Sequence, residues 1–241
     1  LILNKNLTTL FNDKNKEFHN ASLKGFLKFI KGSDYYCGHK IIEHDLKYIN
    51  IAKGSNVIDK DKCIDTLLLS VLLFPDKPYH KLIKDDKLKP EDSNNPLNDS
   101  INARALFEDE KYMFSNLSNS NKLIFFELLK KVPGYSGFFN YIKFKAKSFD
   151  LIDTIRNEYS GLICSKADIS TFIKQYPVEL ALSLALSKTE ELESLFPRWV
   201  LHTYPMVEHV MLSLRGIPCE PKCDYCKNNL DPLIKAKALF G

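Results

Sequence analysis

The sequence predicts an α/β unit over residues 1–118, followed by an all-α unit over 119–241 that carries a cysteine metal site. Three observations carry that reading. Short apolar and aromatic runs alternate with helical periodicity up to about residue 114. Beyond residue 118 the apolar residues recur almost entirely at three- and four-residue steps. Three of the six cysteines crowd into residues 219–226.

Taken in order, Leu23, Phe26, Leu27 and Ile30 share one face of a helix over 21–31. Tyr35–Gly38 is short and aromatic, a buried strand, and a helix follows from about His44 to Ile49. Asp65 opens an apolar helix that Pro75 stops after Leu73. Tyr79–Lys84 reads as a short helix, and Asp85–Asn95 as a charged, Pro- and Asn-rich loop. Pro96 suits a first helical position, with Asn94 or Asn95 as cap, in a helix reaching about Phe114. This order suits the second half of an α/β domain whose opening strands lie upstream. Ser and Asn over 115–121 mark a linker. Helices are then expected over Leu123–Lys130, Asp150–Arg156, Ile169–Lys174, Val178–Leu186 and Val207–Leu214. Leu1 in place of Met, and a helix-like end at Ala238–Gly241, are expected of a piece of a longer chain.

Composition excludes several classes. A formal charge of +4 in 241 residues permits nucleic-acid binding without arguing for it. The longest apolar run, Leu67–Phe74, is too short to span a bilayer, and no signal-peptide pattern opens the chain, so a cytoplasmic protein without membrane contact is expected. Six unevenly spaced cysteines in a chain of this length suggest metal ligands or buried thiols, not a disulfide framework. Cys37 and Cys63, in apolar segments, read as buried thiols.

Three aspartates occupy distinctive settings: Asp45 in GHKIIEHDLKYI, Asp65 in CIDTLLLSVLLFPDKPYHKLIKDDKL and Asp99 in NNPLNDSINARALF. Together these strings resemble the later motifs of DEDD-type (DnaQ-like) 3′–5′ exonuclease domains, which have a ribonuclease H-like fold, in the subfamily fused to a RecQ-like DNA helicase. The resemblance implies two-metal phosphodiester hydrolysis, with Mg²⁺ or Mn²⁺ held by converging carboxylates. Asp45 matches the second motif, after Gly38-His39, and Asp99 the third, and both would be catalytic metal ligands. The first motif, an Asp-x-Glu strand, is expected upstream of residue 1, so the isolated chain is expected to be inactive. Asp65 would hold the fold together. Asn94 stands where some members carry a catalytic histidine, and Lys40 where the second motif often has asparagine. His80 or a metal-bound hydroxide would then supply the base. The same two departures support a competing reading, an exonuclease fold serving only as a nucleic-acid-binding or docking platform.

Cys219, Cys223 and Cys226 form C-x₃-C-x₂-C on a turn containing Pro218 and Pro221. Three thiols so close are most economically metal ligands, with Cys164 the first choice for a fourth and His209 or His202 as alternatives. Zn²⁺ and a [4Fe–4S] cluster both suit four thiolates. The spacing also matches the radical S-adenosylmethionine signature, but no barrel surrounds it. Residues 196–241 resemble the connector that precedes the helicase core in the same fusions. ATP would bind only in that core, since no phosphate-binding loop G-x₄-G-K-[ST] occurs in the chain. DNA, single-stranded or at a 3′ end, is the implied partner. Lys143, Lys145 and Lys147, interleaved with Tyr141 and Phe144, are candidate nucleic-acid contacts, against the plainer reading of Tyr135–Phe149 as an amphipathic helix.

Overall fold

The computed structural model describes residues 10–11, 17–18, 22–53, 58–77, 80, 96–189 and 196–230. Strands β1 (Leu10–Phe11) and β2 (Glu17–Phe18) precede helix α1 (Leu23–Ile30) and strand β3 (Tyr36–Gly38). A π-helical turn, Ile41–Asp45, leads into α2 (Leu46–Lys53); β4 (Cys63–Asp65), α3 (Thr66–Leu73) and α4 (Pro96–Asn116) follow. Then come α5 (Asn119–Leu129), α6 (Ser136–Tyr141), α7 (Leu151–Glu158), α8 (Ile169–Gln175) and α9 (Pro177–Ser187). The last described elements are α10 (Arg198–Thr203), α11 (Val207–Met211), a second π-helical turn at Leu212–Gly216, and α12 (Asp224–Leu230). Apart from His80, the helix expected over 79–84 lies outside the described residues, as do the loop over 85–95 with Asn94 and the end at 238–241. Among the described residues, no helix is long and apolar enough to cross a membrane.

The chain divides into two units. One takes residues 1–73, 80–116 and 130–144, the other 74–79, 117–129 and 145–241. The first is mixed α/β. Ser22 caps α1 by accepting from the Gly25 N–H at 3.1 Å, and α1 buries Phe26 and Ile30, the face expected from its periodicity. These pack with Ile41, Leu46, Ile49, Ile58 and Cys63 in one core cluster. Strands β3 and β4 are parallel, with Tyr36 opposite Cys63 and Gly38 opposite Asp65; the π-helical turn and α2 form the crossover a parallel pair requires. Strands β1 and β2 pair antiparallel. Three residues make β4, too few for an alternation to be seen in sequence, and Asp65 ends that strand; α3 starts one residue later.

Helix α6 is held against β4. Gly134, at φ +92°, gives its carbonyl to the Asp65 N–H at 3.1 Å, and a Cβ on Gly137 would sit 2.3 Å from the Cys63 carbonyl oxygen. The amphipathic helix expected over 135–149 stops at Tyr141. The Phe144 N–H bonds back to the Phe139 carbonyl and the Lys143 N–H to Asn140, with Lys143 left-handed at φ 54°. This is a Schellman end, completed by the Phe139–Phe144 ring contact at 6.5 Å. Beyond it, Lys143, Lys145 and Lys147 are exposed in non-helical backbone.

The second unit is helical. The linker expected over 115–121 shrinks to two residues, because Asn and Ser continue the helices on both sides instead of breaking them. Helix α9, with Pro177 at its first position, is buried along nearly its whole length and packs against α5, α8 and α11. A helix apolar on all sides belongs at the centre of a bundle. Helix α5 and the end of α7 share a buried polar contact, the Tyr159 hydroxyl donating to Asn121 Oδ1 at 2.9 Å. Asp150 and Asp168 cap α7 and α8 by accepting from the N–H groups of Asp153 and Thr171.

Gly137→Ala should force α6 off the β4 backbone. The expected loss is about 2 kcal/mol or more of unfolding free energy, read from urea titration. A Gly161→Ala control, at a positive φ but in open space, separates backbone strain from this overlap.

Candidate metal centre

Four thiols converge in the helical unit. The Sγ atoms of Cys164, Cys219, Cys223 and Cys226 all lie within 4.8 Å of one another. Cys164 sits on the loop between α7 and α8, Cys219 and Cys223 on the turn before α12, and Cys226 in the first turns of α12. The fourth thiol of the cluster is the cysteine chosen from the sequence. His209 instead sets its ring edge-on to Phe172 at 6.2 Å, and His202 is exposed on α10.

Local bonds bring the two ligand segments together. The Cys164 N–H donates to the Leu214 carbonyl at 2.7 Å, which joins the α7–α8 loop to the second π-helical turn. Lys166 Nζ donates to the Pro221 carbonyl at 2.7 Å, across to the other ligand loop. The Arg156 guanidinium holds the Ser165 and Ala167 carbonyls on either side of Lys166. Within the turn, where the Glu220–Pro221 peptide bond is cis, the Cys223 N–H points at Cys219 Sγ at 3.2 Å. The Tyr225 hydroxyl donates to the Arg215 carbonyl at 3.1 Å. Backbone N–H groups aimed at sulfur favour thiolate.

The thiols are electrostatically unequal. Burial pushes Cys164 up to about 12, with its sulfur neighbours adding to the rise. Cys223 goes the other way, to about 6. Burial opposes ionisation there too, but hydrogen bonds from the Cys226 backbone and from Ser165 outweigh it. Cys223 Sγ lies 3.9 Å from Cys164 Sγ, across 59 residues of chain. Four such sulfurs can bind one soft or borderline cation, or ligate a cluster.

No protein-family model, curated protein or solved structure matches this chain. The chemistry of its sites rests on the residues themselves.

The carboxylates of the first unit are arranged differently. Asp65 is buried and held by backbone donors. Its Oδ1 accepts from the N–H groups of Lys40 at 2.9 Å and Leu67 at 3.0 Å, and its Oδ2 from Ile42 at 3.1 Å. Burial raises its pKa to about 6 against those stabilising bonds. It is the structural aspartate the sequence suggested. Asp45 is also buried, with Oδ1 3.4 Å from His44 Nδ1, and it closes the first π-helical turn. Asp99 lies in the first turn of α4 and is half-buried. Helix α4 packs against both α3 and β3. Among the described residues, neither Asp45 nor Asp99 joins a group of three or more converging ligand side chains.

His80 is buried, with Nδ1 2.9 Å from Ser70 Oγ on α3. His39 Nδ1 lies 3.1 Å from Thr66 Oγ1, and burial together with the nearby His80 lowers its pKa to about 4. Tyr141 is only partly exposed. Its ring packs edge-on to Tyr35 and Phe107, at 5.6 and 5.4 Å, so it is engaged in an aromatic cluster. Burial and the nearby Glu110 carboxylate push the Cys37 thiol up, and burial and nearby Asp59 push Cys63 up to about 12; both stay protonated. Arg156, Lys166 and Tyr225, which shape the cysteine site, carried no sequence signal of their own because they act through carbonyls of distant residues.

Asp65 and His39 titrate in one pH range with opposite sign. The folded chain takes up a proton on Asp65 before the unfolded chain does, so that contribution to stability is present near pH 4 and is lost as pH rises through about 6. His39 is protonated first in the unfolded chain, so its contribution is lost as pH falls from 6.5 towards 4. The urea midpoint of His39→Gln should therefore fall less between pH 7 and pH 4.5 than that of the wild type. Asp65→Asn should show the reverse slope.

Proposed function

We propose that this chain is part of a DNA-processing protein: a DEDD-type 3′–5′ exonuclease unit of ribonuclease H-like fold, joined to a helical connector stapled by one zinc ion. In the intact protein, a RecQ-like helicase core binding ATP would follow the connector. The observation that carries this reading is the order of the first unit. A strand ends at Gly38 just before His39, a turn delivers Asp45, a helix leads across to a parallel strand ending at Asp65, and a later helix carries Asp99 in its first turn. That order supports the assignment of Asp45 and Asp99 as ligands for Mg²⁺ or Mn²⁺. A further acidic pair, from another segment, would complete the site. The metals would lower the pKa of the attacking water and stabilise the leaving 3′ oxygen. A metal-bound hydroxide fits the base role better than His80, whose ring is packed into α3.

The second reading is a non-catalytic docking module, and the burial of Asp45 favours it. Asp99→Ala in the intact protein separates the two. The enzyme reading expects metal-dependent 3′ digestion to fall by at least about a hundredfold, with DNA binding kept. Unchanged digestion supports the docking module.

For the cysteine site, the sulfur separations support a single tetrahedral ion. Metal–sulfur bonds of about 2.3 Å hold four sulfurs about 3.8 Å apart. The 3.9 Å between Cys223 and Cys164, and the 4.8 Å span of the set, suit that arrangement. A cubane has an iron at each of four corners and sets its thiolates wider. The purified chain should be colourless, contain one zinc per chain, and lose on the order of 5 kcal/mol or more of stability on chelation. Cys164→Ser should lower both metal content and melting temperature. A brown protein containing iron would overturn the assignment to zinc.

A further inference from the structure

Three irregularities coincide between residues 38 and 48. Lys40 is left-handed, at φ 63°, without being glycine. The five residues that follow form a π-helical turn. Two aromatic rings on the turn and on the helix after it reach solvent: His44, its side chain about half exposed, and Tyr48, 50 % exposed, with ring centroids 4.9 Å apart at 66°. Left-handed non-glycine residues and π-helical turns both cost stability and persist where something else requires them. Here the turn is pinned from below by the Asp65 carboxylate, which takes the N–H groups of Lys40 and Ile42. The strain is thus held by the fold, while the rings it presents stay half exposed.

We propose that His44 and Tyr48 form a stacking platform for a nucleobase of a single-stranded nucleic acid. This rests on the exonuclease reading of the first unit and names the residues that would seat the strand. The physical argument has three parts. First, the Tyr48 ring is pre-set: it lies on α2, one helical turn from His44, and the edge contact fixes its orientation before any ligand arrives. Second, the pair is tied to the candidate metal ligand, because His44 Nδ1 lies 3.4 Å from Asp45 Oδ1. A base on the platform would therefore leave its sugar–phosphate close to the carboxylate. Third, Lys47 is exposed beside Tyr48 on α2, and Lys40, paired with Glu43 at 3.7 Å, is half exposed at the turn; both can follow a phosphate backbone. Exposed rings with flanking lysines are the combination that single-strand binders use, each stacked base contributing on the order of 1–3 kcal/mol.

The test uses the whole chain and a thymidine dodecamer carrying 2-aminopurine at its 3′ end, without divalent metal. The wild type should bind it and change the fluorescence of the terminal base. Tyr48→Ala should weaken binding by about 5- to 150-fold and abolish the change, the span that corresponds to one lost stacking contact. Tyr48→Phe, which keeps the ring, should retain both. His44→Ala, which frees the Tyr48 ring, should weaken binding less than Tyr48→Ala. Wild-type affinity and fluorescence in Tyr48→Ala would overturn the platform, as would a wild type that does not bind the oligonucleotide. A platform that holds while Asp99→Ala leaves digestion in the intact protein unchanged would instead sink the enzymatic reading alone.

Discussion

A single buried carboxylate organises the first unit. Asp65 ends strand β4, and its two oxygens take backbone N–H groups from the turn after β3 and from the start of α3. Its own N–H is taken by Gly134, on the segment leading into α6. One residue therefore fixes the end of a parallel strand pair, the entrance to a helix and the docking of a distant loop. It also holds Lys40 in a left-handed conformation that the chain would not adopt unaided. A buried carboxylate is costly unless its lone pairs are met, and here backbone donors meet them at three points. The consequence extends to the surface, because the turn so held is the one that carries His44, Asp45 and the approach to Tyr48.

The helical unit depends on a different constraint. Two segments 59 residues apart must bring four sulfurs within 4.8 Å, and thiols alone gain little from such crowding. What makes the approach tolerable in the structure is the set of carbonyl contacts around it. The Cys164 amide meets Leu214, Lys166 meets Pro221, and Arg156 spans the loop that carries Cys164. The two cationic side chains act through carbonyls of the loops that carry the sulfurs. The proposed zinc ion and the proposed nuclease chemistry are independent: one concerns the integrity of the helices, the other the carboxylates of the first unit.

Much of the fold was legible because it follows from local rules. The apolar face of α1, the stop after α3, Pro96 at the start of α4 and the largely apolar α9 were each readable from spacing or from a proline. Other features escaped for physical reasons. Strand β4 is three residues long, and what makes it a strand is its pairing with β3. Helix α6 ends at a left-handed lysine whose neighbours would have continued a helix, and what ends it is the Phe139–Phe144 contact. The serines and asparagines near residue 118 looked like a linker, yet the Ser118 hydroxyl accepts from the Asn121 N–H and serves as a helix cap.

By itself the sequence determined which side chains can carry chemistry. Six cysteines with three in a short turn, aspartates at helix starts, and the choice of Cys164 as fourth ligand all follow from residue type and spacing, which are properties of the chain. Only the tertiary structure decided what those side chains face. Sequence spacing cannot show that Asp65 spends its charge on backbone N–H groups, that Tyr141 packs among other rings, or that Tyr48 stands in solvent. Each of these depends on residues tens of positions away arriving at the same place. Burial and hydrogen-bond partnership are set by those long-range meetings, and they separate a carboxylate that holds a fold from one that can bind a metal.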